Sequence, residues 1–171
     1  MTLEVFEQNL PAVALYRGHG FRERGRLFGW RRTGPCASHG RLPGPLEEVP
    51  LLTAARWPGD ADYPDLPWQV SRQSVARLMP GARAYAVGPA CVVIGDPTVD
   101  PVRVHALLLA ESDPPAKTLL RTLLAEVLHR FPERSWFAPQ IHPESAGRDV
   151  FEPLGFLREP LNQFLMHRDL R

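Results

Sequence analysis

The sequence predicts an α/β (α+β) fold: a mixed central sheet flanked by helices and preceded by an extra β-α-β segment. Three observations carry that prediction. Short apolar stretches with strand alternation recur between turns marked by Gly and Pro. One long stretch, PAKTLLRTLLAEVLHRF, keeps its apolar residues at helical spacing. A strand-loop-helix-strand pattern near the N-terminus returns near the C-terminus.

TLEVF, residues 2–6, alternates as a strand does. Asn9 is a good helix N-cap, and Pro11 falls in the first turn, where its missing N–H does no harm. The helix closes at Gly18–Gly20, and Phe21 to Trp30 reads as one or two strands. A unit this short cannot bury both faces of its strands alone. Val5, Val13, Leu15, Phe21, Leu27, Phe28 and Trp30 are too many apolar groups for a solvated tail. The expectation is docking on the sheet of residues 49–171, or exchange with a second chain to give a homodimer through residues 2–32.

Residues 33–48, TGPCASHGRLPGPLEE, carry repeated Gly and Pro signals and no apolar period, and read as a linker. Beyond it VPLLTAARW reads as a strand running into a loop, and PWQVSRQSVARLM as a helix stopped by Pro80–Gly81. ARAYAVG and ACVVIGD form a hairpin at Gly88–Pro89, and VRVHALLLA is apolar enough to lie centrally in a sheet. The long helix follows, then a strand at SWFAPQI, a short helix at ESAGRDVFEPLGF and a last strand at LNQFLMHRD.

Composition narrows the function classes. A hydrophobic fraction of 44% supports a real core, and a net charge of +1 argues against a polyanion partner such as nucleic acid. The arginines between Arg17 and Arg32 have no interleaved aromatic platform, so they read as a solvated face. No apolar run suits a membrane span and no leader pattern opens the chain. Cys36 and Cys91 match neither a zinc spacing nor a C-x-x-C pair, and no other spacing suggests a metal site. A cytoplasmic protein with reduced thiols is expected.

The internal repeat is specific. LEVFEQNLPAVALYRGHGF and WFAPQIHPESAGRDVFEPLGF both run strand, polar loop, helix, aromatic residue and Gly-Phe, with Tyr16 five residues before Phe21 and Phe151 five before Phe156. The first copy resembles the closing segment of GNAT-superfamily N-acetyltransferases, and residues 49–171 resemble such a domain in element order. The resemblance implies three parts. Residues 1–32 would be the C-terminal β-α-β segment of one GNAT-like domain, whose remainder would lie upstream. Residues 33–48 would be a linker, and 49–171 a second GNAT-like domain. It implies acetyl-CoA as cosubstrate and an amine as acceptor, in an enzyme complete only with further parts. The alternative is a catalytically degenerate domain that acts as a structural or regulatory partner.

The resemblance also assigns residues. The pyrophosphate would sit on the turn before the long helix, at Leu109, Ala110, Ser112, Asp113, Ala116, Lys117 and Thr118. The family pattern there is Q/R-x-x-G-x-G/A, and Glu111 and Pro114 depart from it. Proline has no N–H to donate, and Glu111 and Asp113 add negative charge, which Lys117 and Thr118 partly offset. A P-loop reading of AKT fails for want of its glycines. Tyr16 matches the tyrosine that protonates the leaving thiolate, and Asn9 an asparagine near the cofactor. Without the resemblance, Tyr16 is a packing residue and Asn9 a helix cap. The counterparts in the second copy are Phe151 and Glu144, and Phe151 has no proton to give. His105 reads as a core imidazole or a base, His142 with Glu144 as an acid–base pair or a helix entry. Trp57, Tyr63 and Trp68 read as an acceptor pocket or an aromatic loop over the core.

Overall fold

The structure, a computed structural model, describes residues 1–34, 40–57, 67–110 and 114–169. Eight strands form one sheet: β1 Thr2–Phe6, β2 Arg22–Arg32, β3 Glu47–Val49, β4 Arg83–Val87, β5 Ala90–Ile94, β6 Val102–Leu109, β7 Trp136–Pro143 and β8 Leu157–His167. Their order is β1-β8-β2-β7-β6-β5-β4-β3. Among the described strands only the β6–β7 pair is parallel. The N-terminal segment is therefore docked within its own chain. β2 lies between β7 and β8, and β1 pairs along the far side of β8.

The helices follow local sequence. α1, Leu10–Gly18, is capped by Asn9, whose Oδ1 accepts from the Ala12 N–H at 3.2 Å. α4, Pro114–Arg130, lays Leu120, Leu123, Leu124, Val127 and Leu128 on the sheet against Tyr85, Val92, Trp30 and Trp136. The opposite face of β4, β5 and β6 is covered by α2 (Leu51–Ala54) and α3 (Arg72–Ala76), around Val75, Val93, Ala106 and Leu108. α1 joins a third cluster with Val5, Phe21, Phe164 and Met166. Phe164 faces Arg26, two residues before Phe28 on β2, so α1 and α4 share one face of the sheet.

Three local expectations need correction. The strand expected from residue 49 ends at Val49, and Leu51–Ala54 is a helical turn after Pro50. A short apolar run does not by itself separate strand from helix. The single helix expected over 67–79 is broken: Trp68–Val70 is a 3-10 turn, and Ser71 is extended and caps α3 through its hydroxyl on the Ser74 N–H at 3.3 Å. The second repeat's helix is fractured into α5 (Glu144–Ala146), a π turn at Gly147–Phe151 and a 3-10 turn at Glu152–Leu154. A Cβ on Gly147 would lie 2.2 Å from Trp30 Cζ2, so the chain runs against that ring closer than any other residue allows.

Candidate functional site

β6 and β7 pair at Val102–Trp136 and Arg103–Phe137 and then part. The sequence supplies two reasons. On β6, Val93 faces Ala106 while Ile94 faces Val104, so His105 is an extra, unopposed residue, a β-bulge. On β7, Ala138 faces Trp30 and His142 faces Phe28, which leaves residues 139–141 against Gly29 alone. Pro139 lies in that stretch and has no N–H to offer a ladder. A Cβ on Gly29 would lie 3.0 Å from the Ala138 carbonyl oxygen and from Gln140 Nε2, so the irregular stretch presses directly on it.

The parted strands leave two cavities that share Ile141 as a wall. The smaller, about 140 Å³, lies beside α4 and is lined by apolar groups of Leu107, Leu109, Leu120 and Val150. Its polar lining includes Lys117, Ser145 and Asp149. Lys117 Nζ stands 3.8 Å from Asp149 Oδ2. The larger cavity, about 680 Å³, lies toward α3 and is lined by Arg77, Arg103, His105, Gln69, Gln140 and Gln163, with Trp68 at its edge.

Two histidines flank the parting. His142 is buried, with Nε2 3.3 Å from the Val104 carbonyl oxygen and its ring edge-on to Phe151 at 5.0 Å. Burial pushes its pKa down to about 4, so it is neutral across the physiological range. Glu144 does not pair with it; its carboxylate accepts from Arg158 Nη1 at 3.2 Å. His105 is half-buried, and its pKa is lowered by burial and then by the charge of Arg103. A neutral imidazole on the wall of a polar cavity can accept a proton.

The residues singled out from sequence divide between two places. Tyr16 packs edge-on against Phe21 at 5.9 Å, beside the Val5–Met166 cluster, and Asn9 caps α1. Neither lines the parting of β6 and β7. Leu109 and Lys117 do line the smaller cavity. Ala116 is buried at the start of α4. The Ala110 N–H donates to the Pro89 carbonyl at 2.8 Å, and the Thr118 carbonyl accepts from Thr122 Oγ1 at 3.1 Å. Ser112 and Asp113, like Glu111, Tyr63 and Cys36, lie outside the described residues. Trp57 donates its Nε1–H to the Pro89 carbonyl at 3.0 Å and Trp68 borders the larger cavity. Cys91 is buried, and burial pushes its thiol up to about 12. The glutamines and arginines of the larger cavity belong to no motif. The one signal for them was Arg103 and His105 at alternate positions of an otherwise apolar strand.

The chain has the GNAT fold. It superposes on a GCN5-related N-acetyltransferase from Sphaerobacter thermophilus with a TM-score of 0.57 at 13% identity, over 100% of this chain and 60% of that one. A GCN5-related N-acetyltransferase from Kribbella flavida gives 0.54 at 15% identity, over 99% and 68%. A third, from Anabaena variabilis ATCC 29413, gives 0.56 at 13% identity, over 96% and 45%. The chain thus spans less than two thirds of the length of the first of these proteins. No protein-family model matches the sequence, and no curated protein matches it. No helix among the described residues is long and apolar enough to cross a membrane.

The residues of the smaller cavity fit one end of an acyl-CoA better than the other. Its apolar walls suit a thioester arm. At the phosphate end, α4 opens on Pro114 and Pro115, which have no N–H, and Lys117 is already engaged by Asp149.

Proposed function

We propose that the protein is an acyl-CoA-dependent N-acetyltransferase that moves an acetyl group from acetyl-CoA to an amine. The observation that carries this reading is the parting of β6 and β7, with one cavity toward α4, another toward α3, and Ile141 common to both. When bound, acetyl-CoA supplies the acetyl group as an activated thioester. Leu107, Leu109, Leu120 and Val150 would hold its arm, and Lys117, once released from Asp149, would face its phosphates. His105 takes a proton from the acceptor ammonium in the larger cavity, which leaves the amine nucleophilic. The backbone at the His105 bulge, outside the regular ladder, is the candidate to polarise the carbonyl. Ser145 is the hydroxyl among the described lining residues of the smaller cavity and is the candidate hydrogen-bond donor to the departing thiolate, which takes its proton from solvent.

Within this reading Tyr16 and Asn9 are structural in this body, and residues 1–32, 33–48 and 49–171 act as segment, linker and domain. A cytoplasmic setting suits a buried thiol such as Cys91. Exchange of β1-α1-β2 between copies is the route to a homodimer, and light scattering decides whether it occurs. The reading is tested with labelled acetyl-CoA and a broad amine panel. Transfer is expected in the wild type, with a drop of about 100-fold in His105→Gln. No transfer to any amine would remove the reading.

A second reading has its own observation. Phe151 stands where the superfamily places its phenol, and two prolines open α4. A degenerate GNAT-like domain that supports an enzyme partner would have both features. Undetectable binding of acetyl-CoA would favour it.

A further inference from the structure

The larger cavity differs in charge from the surface around it. Many arginines of this protein face carboxylates: Arg26 has Glu7 at 2.9 Å, Arg31 has Glu159 at 2.8 Å and Arg158 has Glu144 at 3.2 Å. Arg77 and Arg103 have no carboxylate partner among the described residues, and both line the cavity with His105. The other polar lining groups are neutral, the amides of Gln69, Gln73, Gln140 and Gln163 and the hydroxyl of Ser74. No Asp or Glu lines it among the described residues. Gln69 Oε1 is buried and has no hydrogen-bond partner. That oxygen is sealed from the cavity, so the cavity's recognition rests on its arginines and on the other lining amides.

Two cationic groups set among neutral amides define a ligand with an anion and hydrogen-bonding groups beside it. We propose that this cavity takes an acceptor carrying a carboxylate beside its amine, an amino acid, with the carboxylate held by Arg77 and Arg103 and its amine among the neutral amides that line the rest of the cavity. This rests on the acetyltransferase reading for its chemistry, while the binding stands on the cavity alone. Guanidinium groups suit carboxylates because their forked N–H donors match the two oxygens. The acetylated product keeps both features, one amide N–H and the carboxylate, so it is a stable probe of the same site.

The experiment uses the full chain and matched probes: N-acetyl-L-leucine, N-acetyl-L-phenylalanine and N-acetyl-L-glutamine, each beside its C-terminal amide. Binding is read by calorimetry and ligand-observed NMR for the wild type and for the double variant Arg77→Gln, Arg103→Gln. Both arginines are exposed, so the double variant is expected to melt with the wild type. At least one acid is expected to bind about tenfold or more tighter than its amide, and that preference to shrink below about threefold in the double variant. Added salt should weaken the acids and leave the amides unchanged. Equal binding of acid and amide, tighter binding of the amides, an acid preference that survives in the double variant, or no acid binding at about millimolar concentration would each overturn the proposal. Acetyl-CoA is titrated separately. Its failure to bind, with the acid preference intact, would remove the acetyltransferase reading and leave the carboxylate site standing.

Discussion

The two copies of the repeat, β1-α1-β2 and β7-α5-β8, share an order of elements but not a set of neighbours. They interleave: β1 pairs with β8, β7 pairs with β2, and β2 and β8 lie antiparallel between them. In the first copy the helix is regular and its aromatic, Tyr16, packs near the end of the sheet. In the second, the helix is fractured and its aromatic, Phe151, stacks on Trp30 at 5.0 Å and 21°. β7 also faces β6, and with it the two cavities. Of the two copies, only the one with a parallel strand beside it borders the two cavities. Resemblance to a motif located Tyr16; its surroundings decide what Tyr16 can touch.

Four residues before each aromatic the copies differ most sharply, with Ala12 in the first and Gly147 in the second. The Gly147 Cα lies so near the buried Trp30 ring that Gly147→Ala must displace it, and a loss of about 3 kcal/mol or more is expected in chemical denaturation. The reciprocal change Ala12→Gly should cost about 1 kcal/mol through helix propensity alone. Equal effects would mean that the two helices are equivalent after all.

His142 gives the next largest difference. Its folded pKa of about 4 lies below the ordinary value of 6.5, because burial disfavours the imidazolium. The unfolded chain then binds more protons than the folded one between those values. Stability is fully present above the unfolded pKa and is lost as pH falls through the window, by roughly 3 kcal/mol at most. Denaturation from pH 7 to pH 4 should show this slope, and His142→Gln should flatten it. An unchanged slope in the variant would assign the acid sensitivity to carboxylates.

How much of this was legible beforehand depends on whether the cause was local. The capped helix after Asn9, the hairpin at Gly88–Pro89 and the apolar face of α4 each rest on residues close in sequence, and sequence located them. The insertion of β2 between β7 and β8 rests on pairing across more than a hundred residues, and no local pattern encodes it. The fractured helix needed Trp30 pressed against Gly147, and the break at Ser71 was hidden because Ser suits a cap and a helix surface alike. Among the residues that line the cavities, Leu109 and Lys117 flank the turn before α4 to which the sequence drew attention. Nothing drew attention to Gln69, Gln140 and Gln163, since they come from three separate elements and form a cavity only after folding.

A hydroxyl exchanged between the copies sharpens the comparison further. Phe151→Tyr puts a phenol into a fully buried site and should cost about 1–3 kcal/mol if no partner meets it. Tyr16→Phe should change both melting and any transfer activity little, because Tyr16 lines neither cavity. A large loss of turnover in Tyr16→Phe would move the chemistry to the first copy. The smallest expected effect is at the mouth of the smaller cavity. Asp149→Asn releases Lys117 from its 3.8 Å partner and should tighten acetyl-CoA binding about threefold by calorimetry, whereas Lys117→Ala should weaken it.

The central claim is that acyl-CoA enters between β6 and β7 and not at the first copy of the repeat. Titration of isotopically labelled protein with acetyl-CoA, followed by amide chemical shifts, tests it directly. The account predicts saturable binding, weak at about 0.1 mM because α4 opens on two prolines, with shifts at Leu107, Leu109, Lys117, Ile141 and Val150. Shifts centred on Val5, Val13 and Tyr16, or none at several times that concentration, would contradict it.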